Sequence, residues 1–172
     1  MTKWDVSPEA MAKVRSSIRP IETDMPLRQV LAEDFPRDCM NLPISGGWGY
    51  TQANAIVFVL DQFRPGMPVN FVSLERHIAL KVVYEELIIF RSKDDRFSGI
   101  SMELKFQALT EDAGRKYDCL KFNVTCWNDL HWDQLKAEWE ENDFSTRPGF
   151  DLEEHTAKRS ASQVQIRANI MV

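Results

Sequence analysis

The chain has 172 residues, of which 44% are hydrophobic and 27% are charged, and its net charge is −5. This balance is typical of a globular protein and excludes disordered and collagen-like chains. No segment approaches the ~20 apolar residues of a membrane span, and the first residues lack the apolar stretch of a signal peptide. We therefore expect a single cytoplasmic α+β domain over residues 1–172.

The cysteines are odd in number and include no Cys-x-x-Cys pair, which argues against a disulfide framework and a zinc knuckle. The histidines show no His-x-x-x-His spacing, and no carboxylate cluster completes a ligand set around them. We therefore expect no metal site and no cofactor. The residues concerned are Cys39, Cys119, Cys126, His77, His131 and His155.

Two helices are predicted near the N-terminus. Ser7 followed by Pro8 and Glu9 is a typical helix start, with serine as N-cap and proline at the first helical position. Apolar residues at helical spacing extend this helix over residues 8–18. A second helix over residues 26–34 begins at Pro26 and ends before Pro36.

A glycine-rich aromatic loop precedes an apolar run. Gly46, Gly47, Trp48, Gly49 and Tyr50 form the loop, and the unbroken apolarity that follows predicts a strand over residues 55–61, buried on both faces. Phosphate-binding loops place their glycines after a strand, so this order does not favour a nucleotide site. We interpret the loop as a turn with glycines at positive φ and aromatics packed over a sheet edge. The alternative is that its aromatics line a ligand or partner groove.

The longest predicted helix covers residues 74–91, with Ser73 as its cap. On a helical wheel, His77, Lys81 and Glu85 share a narrow polar face, whereas Glu86 points among apolar side chains. A buried carboxylate is costly unless it is paired. Three interpretations of Glu86 remain open.

The first interpretation is a structural contact with an arginine or with the amides of the glycine loop, the candidates being Arg76 and Arg91. The second is a proton-transfer acid with a raised pKa in a pocket. The third is that the helix ends early and residues 87–90 form a strand.

Alternating apolar residues predict two strands, over residues 99–110 and 116–127, which form an antiparallel hairpin. The first strand should present Ile100, Met102, Leu104 and Phe106 on one face. Another alternating run predicts a last strand over residues 162–171. We expect an antiparallel or mixed sheet of four or more strands, including 55–61, with the helix 74–91 packed on it.

A helix over residues 130–142 carries an apolar stripe of Trp132, Leu135 and Trp139, which we interpret as core anchoring rather than a ligand box. Acidic residues concentrate around this helix. Residues 129–154 contain nine carboxylates and two basic residues, a balance of −7. This acidic segment is either a solvated face or a docking face for a basic partner.

The sequence contains no catalytic motif, so we expect a small binding protein rather than an enzyme. Its acidic surface, represented by Asp133, Glu138, Glu140 and Glu141, would bind a basic protein, as immunity-type neutralisers do. Nucleic-acid binding is not expected because it needs a basic face. The sequence leaves open whether the chain forms a homo-oligomer.

The alternative is a small acid/base hydrolase that uses Glu86 in a pocket next to the Gly46 to Tyr50 loop. His77 or His131, together with Tyr50, would complete that site.

Overall fold

The computed structural model describes residues 14–66 and 68–172 and confirms the α+β class. Its strands are β1 Val14–Ser17, β2 Ile44–Gly46, β3 Ile56–Phe58, β4 Phe97–Asp112, β5 Arg115–Asn128 and β6 Val164–Met171. Its α-helices are α1 Leu27–Asp34, α2 Pro36–Cys39, α3 Phe71–Tyr84, α4 Asp129–Glu141 and α5 Leu152–Ser162. None of the helices within these ranges is both long enough and apolar enough to cross a membrane.

The larger sheet has the order β1-β6-β5-β4. The antiparallel hairpin of β4 and β5 and the antiparallel strand β6 confirm three predicted strands. The hairpin closes through Ala113 and Gly114, which both have positive φ and lie between the paired residues Asp112 and Arg115. Two residues at positive φ form the turn whose twist matches that of the flanking strands.

The predicted strand over 55–61 does not belong to this sheet. Residues 56–58 form β3, which pairs only with β2 in a separate antiparallel ribbon. The apolar run then enters a 3₁₀ turn at Leu60–Gln62. Val57 is 48% exposed and Leu60 is 65% exposed, so the prediction of burial on both faces is also wrong. Pairing with the immediately preceding strand leaves one face of this short ribbon open.

A β-bulge changes the predicted faces of β4. Leu104 pairs with Phe122 and Phe106 pairs with Lys121, so Lys105 is the extra residue. Such an insertion reverses the alternation beyond it. Phe106 is therefore 50% exposed, contrary to the prediction.

Helix α3 lies in the core together with α1, β5 and β6. Its N-cap is Asn70, whose side chain accepts a hydrogen bond from the Ser73 amide at 3.1 Å, so the prediction of Ser73 as cap is wrong. The helix continues as a π-helical turn over Glu85–Ile89. Residues 87–90 are therefore not a strand.

The predicted helices over 26–34 and 130–142 are confirmed as α1 and α4. Of the predicted helix over 8–18, residues 8–13 lie outside the described residues. Residues 14–17 form β1, parallel to β6, so that part of the prediction is wrong. Helices α2 and α5 were not predicted.

Candidate functional site

The Gly46 to Tyr50 loop is a closed turn that links the two sheets. Gly46 and Gly49 have φ values of 86° and 80°, as the positive-φ interpretation expects. The Gly47 and Gly49 amides donate to Ala55 and Asn54 carbonyls, and the Gly49 carbonyl accepts from the Met171 amide of β6 at 2.7 Å. These loop amides are therefore used within the fold.

The aromatics of the loop are packed against neighbouring elements. Trp48 is 8% exposed and makes an edge contact with Phe90. The Tyr50 hydroxyl accepts a hydrogen bond from the Ile21 amide at 3.2 Å. Burial, together with the charges of Glu86 and Glu85, raises the pKa of Tyr50 to about 12. Tyr50 is therefore protonated at neutral pH.

Glu86 is buried and held by an arginine. Its Oε1 accepts from Arg91 Nη2 at 2.7 Å and from Arg91 Nε at 2.9 Å. Arg91 also reaches Asp95 Oδ2 at 3.3 Å, and Asp95 in turn binds Arg19 at 2.7 Å. This chain of charges is the structural ion pair that the first interpretation of Glu86 described.

The histidines proposed as partners of Glu86 lie on other surfaces. His77 is nine residues earlier on α3, about 13 Å along the helix axis at 1.5 Å per residue. It lies 3.7 Å from Asp38. His131 lies on α4 in a groove with Gln134 and Lys158. Only Tyr50 of the predicted catalytic set is near Glu86, and no contact shown here favours a hydrolase based on Glu86.

Glu85 is the buried acid that the sequence did not indicate. It was placed on the polar face, yet its side chain is fully buried, and neither carboxyl oxygen has a hydrogen-bond partner among the described residues. Burial and the nearby Asp34 carboxylate raise the pKa of Glu85 to about 8. Glu85 opens the π-helical turn, so a regular wheel of 100° per residue no longer describes its surroundings.

A cleft of about 820 Å³ lies beside the glycine loop. One wall is formed by the β2–β3 ribbon from Gly46 to Leu60, and the other by the start of α3 and the closed end of the β4–β5 hairpin. The hydrolase alternative placed Glu86 in a pocket beside this loop, but the buried acid that lines this cleft is Glu75.

Glu75 and Asp118 bring two carboxyl groups to this cleft. Glu75 is 7% exposed, and its Oε2 accepts from Gln107 Nε2 at 3.4 Å. Burial raises the pKa of Glu75 to about 7, and the Asp118 carboxylate adds to the shift, while Arg76 acts weakly in the opposite direction. The Glu75 carboxyl therefore gains or loses its proton near neutral pH.

The sequence carried a signal for Glu75 that the prediction did not use. Glu75 and Glu86 are eleven residues apart, close to three full helical turns, so they share one face of a helix. The argument that marked Glu86 as buried applied equally to Glu75. Starting the helix at residue 74 instead of Phe71 placed Glu75 at the helix end, where solvent exposure is the ordinary expectation.

The predicted acidic surface lies on α4, α5 and the turn between them. Two of its four named carboxylates are already paired: Asp133 binds Lys136 at 2.9 Å, and Glu138 binds Lys158 at 2.8 Å. Within the described residues, Glu140 and Glu141 make no ion pair and are exposed. Of these four carboxylates, the two without an ion pair therefore lie at the C-terminal end of α4.

The turn after α4 has an unusual backbone. Asp143, Phe144 and Ser145 have φ values of 51°, 55° and 73°, three consecutive non-glycine residues in the left-handed region. Phe144 is 63% exposed on this turn. We name Glu140, Glu141, Asp143 and Phe144 the acidic tip.

The tryptophans of α4 pack against aromatic residues of neighbouring elements. Trp132 packs on Trp127 of β5, and Trp139 packs on Phe150 and on His155 of α5. They also line a slot of about 320 Å³ between α4 and α5. The slot lies on the same helical pair as the acidic tip.

Two further groups of side chains bear on possible chemistry, namely the buried thiols and the potential metal ligands. Burial raises the pKa of Cys126 to about 12, which keeps its thiol protonated and inert. Across residues 14–66 and 68–172, no three His, Cys, Asp or Glu side chains converge in a way that could hold a metal ion.

Comparison with known proteins gives no relative from which a role could be transferred. No family model, curated protein or solved structure matches this chain significantly.

Proposed function

We propose that this chain is a binding protein that docks a basic protein partner through the acidic tip. The observation that carries the proposal is the placement of Glu140, Glu141 and Asp143, which are exposed and unpaired within the described residues, at the C-terminal end of α4.

Carboxylates at this end of a helix are placed unfavourably for stability. The last carbonyl groups give the C-terminus a partial negative charge, and the last turn of α4 contains no basic residue. The backbone carbonyls themselves are satisfied, since Arg147 Nη1 donates to the Glu141 carbonyl at 2.9 Å and the Phe144 amide donates to the Trp139 carbonyl at 2.9 Å. The side chains of Glu140, Glu141 and Asp143 make no ion pair within the described residues, so their carboxylates can pair with a cationic partner.

Phe144 supplies an apolar anchor at the centre of these charges. An exposed aromatic residue surrounded by polar groups is typical of binding hot spots. The left-handed backbone conformation of Phe144 costs on the order of 1 kcal/mol, and the same is true of Asp143 and Ser145. Backbone strain of this kind is concentrated at functional sites. The turn thus keeps Phe144 exposed at a cost to folding.

The chemistry of this surface suits recognition without catalysis. Carboxylates grouped on one face accelerate the encounter with a basic partner and fix its orientation. A neutralising protein of the immunity type needs only these properties. Asp133 and Glu138 contribute less than the sequence suggested, because their charges are compensated within the chain.

The test is capture of a partner by the tagged chain at low and high salt, followed by association kinetics with the purified partner. The variant Glu140→Gln/Glu141→Gln/Asp143→Asn removes the charge of the tip, and Glu22→Gln/Asp24→Asn/Asp61→Asn, three exposed carboxylates outside the acidic segment, is the charge-matched control. We expect a basic partner whose association slows at high salt and in the tip variant, but not in the control. Recovery of no partner, or of one that binds the tip variant equally well, would count against the proposal.

A further inference from the structure

The cleft next to Glu75 has the size of a small-molecule site. Its volume of about 820 Å³ lies within the range of about 300–1,000 Å³ that is usual for ligand pockets. The cleft lies at the junction of three elements: the β2–β3 ribbon, the start of α3 and the closed end of the β4–β5 hairpin.

Most of the cleft wall is apolar. Phe58 of β3 and Phe71 of α3 have ring centroids 5.6 Å apart and form a joined aromatic surface. Val57, Leu60 and Leu109 also line the cleft and are 48%, 65% and 64% exposed. These exposed side chains suit an occupant with an apolar body.

The polar end of the cleft holds two carboxyl groups, those of Glu75 and Asp118. Glu75 is buried, accepts a hydrogen bond from the neutral amide of Gln107, and lies close to the Asp118 carboxylate. Arg115 and Lys116 also line the cleft but are exposed, and within the described residues no basic side chain lies within ion-pair distance of Glu75 or Asp118. Burying one carboxyl beside another is costly unless a positive group reaches them.

We propose that this cleft binds an organic amine, with its ammonium group between Glu75 and Asp118 and its apolar body against Phe58, Phe71 and Leu109. Charge complementarity selects the ammonium group, and the apolar walls select an organic body over a hydrated inorganic cation. An anionic ligand is disfavoured at this end of the cleft because both carboxylates would repel it, whereas Arg115 and Lys116 are exposed to solvent.

The site has a pH dependence of defined sign. Burial and Asp118 raise the pKa of Glu75 to about 7, and an ammonium group pairs with the ionised form. An alkylamine stays protonated over this range, so its affinity should rise by about tenfold between pH 6 and pH 8, following the ionised fraction of Glu75. Asp118 on β5, Gln107 on β4 and Arg76 on α3 are the neighbours that act on Glu75.

The test uses phenethylamine as the probe and calorimetric titration of the full chain at pH 6 and pH 8. The neutral isostere 2-phenylethanol tests the need for the ammonium group. Glu75→Gln keeps the shape of the side chain and removes its charge, and Glu153→Gln on α5 is the distant control.

We expect phenethylamine to bind the wild type and the Glu153→Gln control equally and to bind Glu75→Gln at least tenfold more weakly. Its affinity for Glu75→Gln should not depend on pH. If Glu75→Gln does not fold, Asp118→Asn makes the same test, because Asp118 is half-buried and adjoins Glu75. The proposal is overturned if the amine does not bind at millimolar concentration, if the alcohol binds as tightly, or if the folded variant binds unchanged. Because the acidic tip lies on other elements, these outcomes are independent of partner binding.

Discussion

Glu85 and Glu86 adjoin in the chain and are both buried, but only Glu86 has a cation beside it, with Arg91 Nη2 at 2.7 Å from its Oε1. Both oxygens of Glu85 lack a hydrogen-bond partner in the described part of the chain. The π-helical turn that begins at Glu85 directs the two carboxyls to different neighbours. They should therefore affect stability in opposite directions.

Stability should fall as pH rises because of Glu85. Its pKa in the folded protein is about 8, against an ordinary value of 4.5, so the folded state holds a proton that the unfolded state releases. The stabilisation that this bound proton gives to the folded state is fully present below pH 4.5 and is lost progressively as pH rises to about 8. The total loss in unfolding free energy is on the order of a few kcal/mol. Asp34 is the charged neighbour that strengthens the effect, and Glu75 contributes in the same direction.

Urea unfolding of the wild type and Glu85→Met at pH 5, 6.5 and 8 measures this effect. Glu85→Met should be the more stable protein at pH 8, and its stability should depend less on pH. Equal pH profiles for the two proteins would show that Glu85 does not titrate as described.

Replacing the neighbouring residue Glu86 by methionine should destabilise the protein. Glu86→Met leaves the side chain of Arg91, which is 7% exposed, without its main partner. Breaking a buried ion pair in this way costs about 3 kcal/mol or more. The double variant Glu86→Met/Arg91→Met removes both charges and should recover part of that loss. Unfolding free energies of the two single variants and the double variant form a cycle, and strict additivity would contradict the coupling.

Local patterns predicted the elements whose partners are near in sequence. The alternation in β4 and β5 and the turn at Ala113 and Gly114 specify a hairpin without reference to the rest of the chain. The bulge at Lys105 was not predictable in this way. An inserted residue shows only in the pairing of β4 with β5, and the alternation of apolar residues in β4 alone does not reveal it. The same holds for β3, whose apolar run fits a central strand as well as a two-stranded ribbon.

The candidate site was predictable only in part. The glycine loop was correctly interpreted as a positive-φ turn because the spacing of its glycines is a local signal. The hydrolase alternative placed Glu86 beside this loop, whereas the cleft there is lined by Glu75. Helix periodicity marks a buried face but cannot say which neighbour covers it. Glu75 meets the open cleft, whereas Glu86 meets Arg91, and that difference arises from tertiary packing.

Gly49 should be far less tolerant of alanine than Gly66. Both have positive φ, 80° and 76°, so each substitution incurs backbone strain of about 1 kcal/mol. At Gly49 an added Cβ would lie 3.0 Å from Ile170 Cγ2 and from the Met171 carbonyl oxygen, whereas at Gly66 no described atom lies within 4 Å. Gly49→Ala should therefore lower the unfolding free energy well beyond Gly66→Ala. Similar losses in thermal or urea unfolding would mean that the loop does not pack on β6 as described.

The strained turn of the acidic tip should show a trade-off between stability and binding. Glycine adopts positive φ freely, so Phe144→Gly and Ser145→Gly should each raise the unfolding free energy by about 1 kcal/mol. Phe144→Gly also removes the exposed anchor and should weaken binding of the basic partner, whereas Ser145→Gly should leave binding intact. Urea unfolding and partner affinity, measured on both variants, separate the two effects. If Phe144→Gly stabilises the protein and binds the partner as well as Ser145→Gly does, the aromatic side chain is not the anchor and the strain at this turn serves some other contact.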